Sequence, residues 1–210
     1  MLPPISLDLI FHVDKYLSLV IQEYGILVYL VLFLIIFIET GFVFFPFLPG
    51  DSLLFLIGAL AAVGSLNLFI AIPILIVAAI TGDSLNYYIG HKIGRKAFTD
   101  KIRFLKKDYL NDAEKFYEKH GGKTIFIARF LPFVRTFAPF VAGIGTMEYK
   151  KFLTYNLTGA IVWVSAFIAA GFFFGNIPII KDNIGIVLFL MIIGTIFLAL
   201  IEFLKSYFKK

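Results

Sequence analysis

The chain has 210 residues, of which 60% are hydrophobic and 16% charged, a balance that excludes an ordinary soluble domain and points to a lipid bilayer as the solvent. Nineteen Lys and Arg against fourteen Asp and Glu give a formal charge of +5, yet the basic residues fall in a few segments, so the excess reports topology and not nucleic-acid binding. The absence of cysteine excludes a disulfide framework, a thiolate metal site and a thiol nucleophile.

Residues 1–25 carry no basic start, apolar run and small-residue cleavage site in the order of a signal peptide. Asp8, His12, Lys15, Ser18 and Gln22 recur at steps of three and four, with Leu9, Val13, Leu17, Val20 and Tyr24 between them. That pattern predicts an amphipathic helix in the membrane interface, with a frayed polar lead-in as the alternative.

The next apolar region, 26–64, divides into two legs, Ile26 to Ile38 and Leu53 to Val63. Between them Pro46, Pro49 and Gly50 disfavour continuous helix, and Glu39 and Asp51 flank the break. A leg of about 11 to 13 residues rises only about 17 to 20 Å as helix, against roughly 30 Å of hydrocarbon. The region is predicted to be a re-entrant hairpin that enters the bilayer and returns. Residues 68–89 are long enough to span if Asp83 is tolerated.

Residues 91–123 form a loop with ten Lys and Arg, in which Phe98, Ile102, Leu105 and Tyr109 suggest a surface helix. Residues 124–147 form a second predicted re-entrant hairpin, broken by Pro132 and Pro139 and holding Arg129 and Arg135. Residues 152–175 carry no charge, and residues 184–204 are apolar up to Glu202; both are predicted spanning helices. Full spanning hairpins with tilted or kinked legs are the alternative to re-entrant ones.

Three long helices place the termini on opposite sides. The 91–123 loop, Lys150, Lys151 and the tail with Lys205, Lys209 and Lys210 all fall on one side, which the positive-inside rule assigns to the cytoplasm. The N-terminus is then outside. An offset of 81 residues aligns Gly64 with Gly145, Ala79 with Ala160, Ile80 with Ile161, Gly90 with Gly171 and Gly94 with Gly175. The expected architecture is all-α and integral to the membrane: an inverted repeat of hairpin plus helix over 26–90 and 124–175, a C-terminal helix and an N-terminal interfacial one.

Charges at the bilayer centre cost about 2.5 to 3.5 kcal/mol each on insertion scales, so Glu39, Asp51, Asp83, Arg129 and Arg135 need partners. The first hairpin brings acids and the second arginines. An acid buried in low dielectric can carry a proton, and arginine offers a planar fork to phosphate. Glu39 is therefore read as the proton-coupling residue with Asp51 as its partner, and Arg129 and Arg135 as a phosphate clamp. Asp83 is a supporting candidate equally readable as a helix-packing hydrogen bond; Asn156 is a further supporting candidate that, like Trp163, reads more readily as packing. A structural ion-pair cluster is the alternative to a transport site.

No nucleophile elbow, Walker loop or zinc-protease motif is present, and His12, His91 and His120 lie outside the apolar legs. The sequence therefore predicts no enzyme, no metal and no cofactor. Membrane lipids and protons are the expected partners.

Pro49-Gly-Asp-Ser-Leu-Leu, Phe130-Leu-Pro-Phe-Val-Arg-Thr-Phe-Ala-Pro-Phe-Val-Ala-Gly and Tyr155-Asn-Leu-Thr-Gly-Ala-Ile-Val-Trp resemble the DedA family, with the likeness running from about Ile26 to Gly175. The resemblance implies an inner-membrane protein with re-entrant hairpins, tied to envelope integrity and the proton-motive force. It also implies return of a polyprenyl phosphate carrier or phospholipid across the membrane. The family's functional acids and arginines match Glu39, Asp51, Arg129 and Arg135. The expected function is a proton-motive-force-dependent transporter or flippase for a phosphate-bearing lipid. A proton-coupled exporter of small cations or drugs and a non-transporting membrane organiser are the alternatives.

Overall fold

The computed structural model describes residues 23–42, 50–93, 117, 121–131, 134–145, 147–181, 183, 186–187, 189–191, 193–194 and 197. Most of the predicted interfacial helix lies outside the described residues, as do the tip of the first hairpin with Pro46 and Pro49, nearly all of the basic loop, and Pro132. So do most of the predicted helix over 184–204 and the lysine tail.

Among the described residues all regular structure is helical. In chain order the helices are α1 (Ile26–Gly41), α2 (Gly50–Ala62), α3 (Leu68–Ile93), α4 (Lys123–Ala128), α5 (Val134–Ile144), α6 (Tyr149–Gly175) and α7 (Pro178–Lys181). With 26 and 27 residues, α3 and α6 are long and apolar enough to cross a bilayer. The 16, 13 and 11 residues of α1, α2 and α5 rise about 24, 20 and 17 Å, short of the hydrocarbon thickness.

Helix boundaries differ from the apolar boundaries in a consistent direction. α1 continues through Glu39 to Gly41, and α2 begins at Gly50, so Glu39 and Asp51 stand within helical turns and not in the break between the legs. A helix satisfies its own backbone where water is absent, so it persists until the chain must turn. Thr40 adds to this by donating its hydroxyl back to the Ile36 carbonyl at 2.9 Å. Likewise α3 runs four residues past Ile89, and α6 starts three residues before Phe152. At the start of α3, Asn67 caps the helix by accepting the Phe69 N–H at 2.9 Å, after a turn at Gly64 whose φ of 79° suits glycine.

The chain divides into two compact units: Met1–Phe33 with Pro49–Leu75 and Val164–Lys210, and Leu34–Leu48 with Ile76–Trp163. In the first, α2 crosses the end of α6 at backbone contact. A side-chain carbon on Gly58 would strike the Ile168 carbonyl, and one on Gly171 the Phe55 carbonyl. Leu54, Ile57, Ala71 and Ile168 are fully buried there. In the second, α5 crosses the end of α3 in the same manner. A carbon on Gly143 would strike the Tyr87 carbonyl, and one on Gly90 the Phe140 carbonyl. Tyr87, Ile125, Ala128, Ala138, Ala142 and Phe152 form its apolar core.

The two crossings correspond residue by residue: Gly90 and Gly171 are 81 apart, and Phe55 and Phe140 stand opposite them. In each unit, a long helix from one half of the sequence packs on a short helix from the other half. Each compact unit therefore draws on both halves.

Candidate functional site

The second unit gathers the polar residues of its otherwise apolar helices. The last turn of α1 supplies Glu39 and Thr40, α3 supplies Asp83 and Asn86, and α6 supplies Asn156, Gly159 and Trp163. Arg129 is the residue that ends α4, where the chain tightens through Phe130 N–H to Ile127 O at 3.1 Å and Leu131 N–H to Ala128 O at 3.0 Å. Arg135 lies in the first turn of α5, its own N–H bonded to Leu131 O at 3.0 Å. The short α4–α5 connection thus sets two arginines on adjacent turns facing the same interior.

Arg135 pairs with Glu39, both buried. Arg129 pairs with Asp83, and its Nη2 also donates to Asn156 Oδ1. Asn156 is held in that orientation by its own amide, which donates to Ile80 O at 3.1 Å. Trp163, 1% exposed, lies against both cations: the Arg135 and Arg129 guanidinium carbons are 5.4 and 5.7 Å from its ring. An indole face attracts cations, so one ring eases the repulsion between two neighbouring guanidiniums. Asn86 braces the arrangement, donating to Thr40 O at 3.2 Å and to Thr136 O at 2.7 Å. These are the chain neighbours of Glu39 and Arg135.

Thr40, Asp83, Arg129, Arg135, Thr136 and Trp163 line a cavity of about 10 Å³. That is room for about one water molecule. Burying two ion pairs costs several kcal/mol of desolvation per ion, so such pairs are weak devices for stability. What they provide is two guanidinium forks, each able to exchange a carboxylate for another oxyanion. Among the described residues no three His, Asp or Glu side chains gather so as to hold a metal ion.

Of the residues singled out from sequence, the structure brings together Glu39, Asp83, Arg129, Arg135 and Asn156. Asp51 belongs to the first compact unit, half-buried in the first turn of α2, where a carboxylate complements the helix dipole. Asn86, Thr40, Thr136 and Gly159 are site residues that the sequence pattern alone does not single out. Helical spacing carried a signal for two of them: Asn86 follows Asp83 by three positions, and Gly159 and Trp163 follow Asn156 by three and seven.

A family model for the VTT domain matches residues 48–173, and Protein DedA of Escherichia coli is 48% identical over 202 residues, 95% of this chain and 92% of that protein. The chain belongs to the VTT-domain DedA family. An uncharacterized membrane protein of Mycobacterium leprae is 42% identical over 168 residues, 80% of this chain and 73% of that one. Inner membrane protein YqjA of Escherichia coli is 34% identical over 154 residues, 73% of this chain and 70% of that one. No solved structure matches the chain. This DedA-family chain is accordingly a membrane protein, and among the described residues α3 and α6 are its candidate spans by length and apolar composition. The VTT match includes Asp83, Arg129, Arg135, Asn156 and Trp163 and begins after Glu39.

Proposed function

We propose that this DedA-family protein is a proton-motive-force-dependent transporter that moves a phosphate-bearing lipid headgroup, of polyprenyl phosphate or phospholipid, across the inner membrane to support the cell envelope. The observation that carries the reading is the pair of buried arginines against one indole, each occupied by a carboxylate. A phosphate offers each guanidinium the oxygen acceptors that Glu39 and Asp83 now supply. A carboxylate that takes a proton gives up its arginine, which links proton entry to headgroup binding. Because the cavity has room for about one water, a headgroup enters only as the helices part. Short α1, α2 and α5 support hairpins that enter and return, from outside for α1–α2 and from the cytoplasm for α4–α5. The N-terminus is outside and the C-terminus cytoplasmic in this topology. The protein acts as a carrier and not as an enzyme.

The test is translocation of headgroup-labelled polyprenyl phosphate and phospholipid by protein reconstituted in vesicles, with and without a pH gradient. Wild type is expected to translocate one of them faster with the gradient, and Glu39→Gln to lose the gradient's effect. Failure with both lipids under both conditions counts against the proposal. Near-normal transport of a small cation by both Arg129→Ala and Arg135→Ala would replace it with the cation exporter.

A further inference from the structure

Arg129 is gripped at a single nitrogen. Its Nη2 donates to both Asp83 Oδ2 and Asn156 Oδ1, whereas its equally buried Nε has no hydrogen-bond partner among the described residues. A guanidinium edge binds oxyanions best with two parallel N–H groups, and a charged donor left unfilled in the interior is costly. Asp83 fills half of that edge.

Gly159 lets α6 lie close against the Arg129 side chain. A side-chain carbon at this position would lie 3.2 Å from Arg129 Nε and 3.0 Å from its Cδ. It would therefore press on the side chain between Cδ and Nε, out of line with the Nε–H bond, and shift the Nε–Nη2 edge. Asn156, one turn earlier on α6, is tied to Ile80 O and so continues to present Oδ1 to Nη2 whether or not Asp83 stays.

We propose that Asp83 is a displaceable internal ligand of Arg129: an incoming phosphate group takes Nη2 from Asp83 and fills the unsatisfied Nε. Asp83 is thereby a positioning residue that holds Arg129 ready and lowers its affinity for phosphate. The proposal rests on the phosphate-carrier reading above and adds to it which carboxylate the headgroup replaces at Arg129.

The chain's only tryptophan, Trp163, lies against Arg129 and is a built-in reporter. The experiment is a fluorescence titration of the full-length protein in detergent with decyl phosphate and, separately, inorganic phosphate. Asp83→Asn, nearly isosteric, is expected to bind decyl phosphate about tenfold more tightly than wild type, as removal of one internal competitor requires. Gly159→Ala is expected to bind it about tenfold more weakly. A merely structural Asp83 would give the opposite sign, since its loss would weaken the site. Unchanged or weaker binding by Asp83→Asn, with wild type still titrating, overturns the role of Asp83 and leaves the carrier reading standing. Should Asp83→Asn fail to fold, undiminished binding by Gly159→Ala overturns the proposed Nε site by itself. A wild type silent to both probes overturns the carrier reading as well. Gains confined to inorganic phosphate support the role of Asp83 and identify free phosphate, not a lipid headgroup, as the source.

Discussion

Glu39 and Arg135 illustrate how a buried pair separates stability from function. Removing one partner leaves an uncompensated buried charge and is expected to cost about 3 to 5 kcal/mol, whereas removing both charges together costs far less. Arg135→Gln alone should therefore lower the thermal midpoint in detergent sharply. Glu39→Gln combined with Arg135→Gln should restore most of that loss and none of the headgroup translocation. Equal destabilisation in the single and double variants would sink the pairing. Asn86 acts differently, through two backbone carbonyls. Asn86→Leu should lower stability by about 1 to 2 kcal/mol, read from the same melting curves, because both carbonyls lose a donor in a dry setting. Tyr117 donates its hydroxyl to the Ala138 carbonyl, and burial, assisted by the Asp83 charge, pushes that hydroxyl above its ordinary value of 10.0. The folded chain then binds the proton more tightly than the unfolded chain, so this contribution is intact below about pH 10 and declines as the pH rises further. Tyr117→Phe is expected to flatten the alkaline fall in melting temperature.

At the scale of elements, the two glycine crossings are the features most sensitive to a single methyl group. Gly58 and Gly143 each face the backbone of the helix they cross, where nothing can move aside as a flexible side chain would. Alanine at either position should destabilise by about 1 to 3 kcal/mol through overpacking. The two values should be similar, because the crossings are built alike; melting of the purified variants would show it, and a neutral result at either site would contradict the contact. The long helices were legible in sequence as apolar stretches, but their ends were not. Hydropathy marks where lipid surrounds a side chain, whereas a helix stops where its backbone finds other partners. That is why Glu39 belongs to the last turn of α1 and not to the break after it.

The whole molecule's topology is open to a direct chemical test, since the chain has no cysteine of its own. Val63→Cys, exposed after α2, should react with an impermeant thiol reagent only from outside the cell; Lys150→Cys, exposed at the start of α6, only from the cytoplasmic face. Labelling of both from one side would remove the opposite entry of the two hairpins. By itself the sequence determined the solvent, the two described apolar stretches long enough to span it, the family, and the membership of Glu39, Asp83, Arg129 and Arg135 in a set of charges needing partners. These follow from composition and short-range pattern, which are local sums along the chain. Only the tertiary structure decided the pairing: Arg135 with Glu39 across 96 residues, Arg129 with Asp83 across 46, and Trp163 against both arginines. Opposite charges attract without regard to sequence position, so the choice of partner was made by the glycine-tight helix crossings that bring particular turns together.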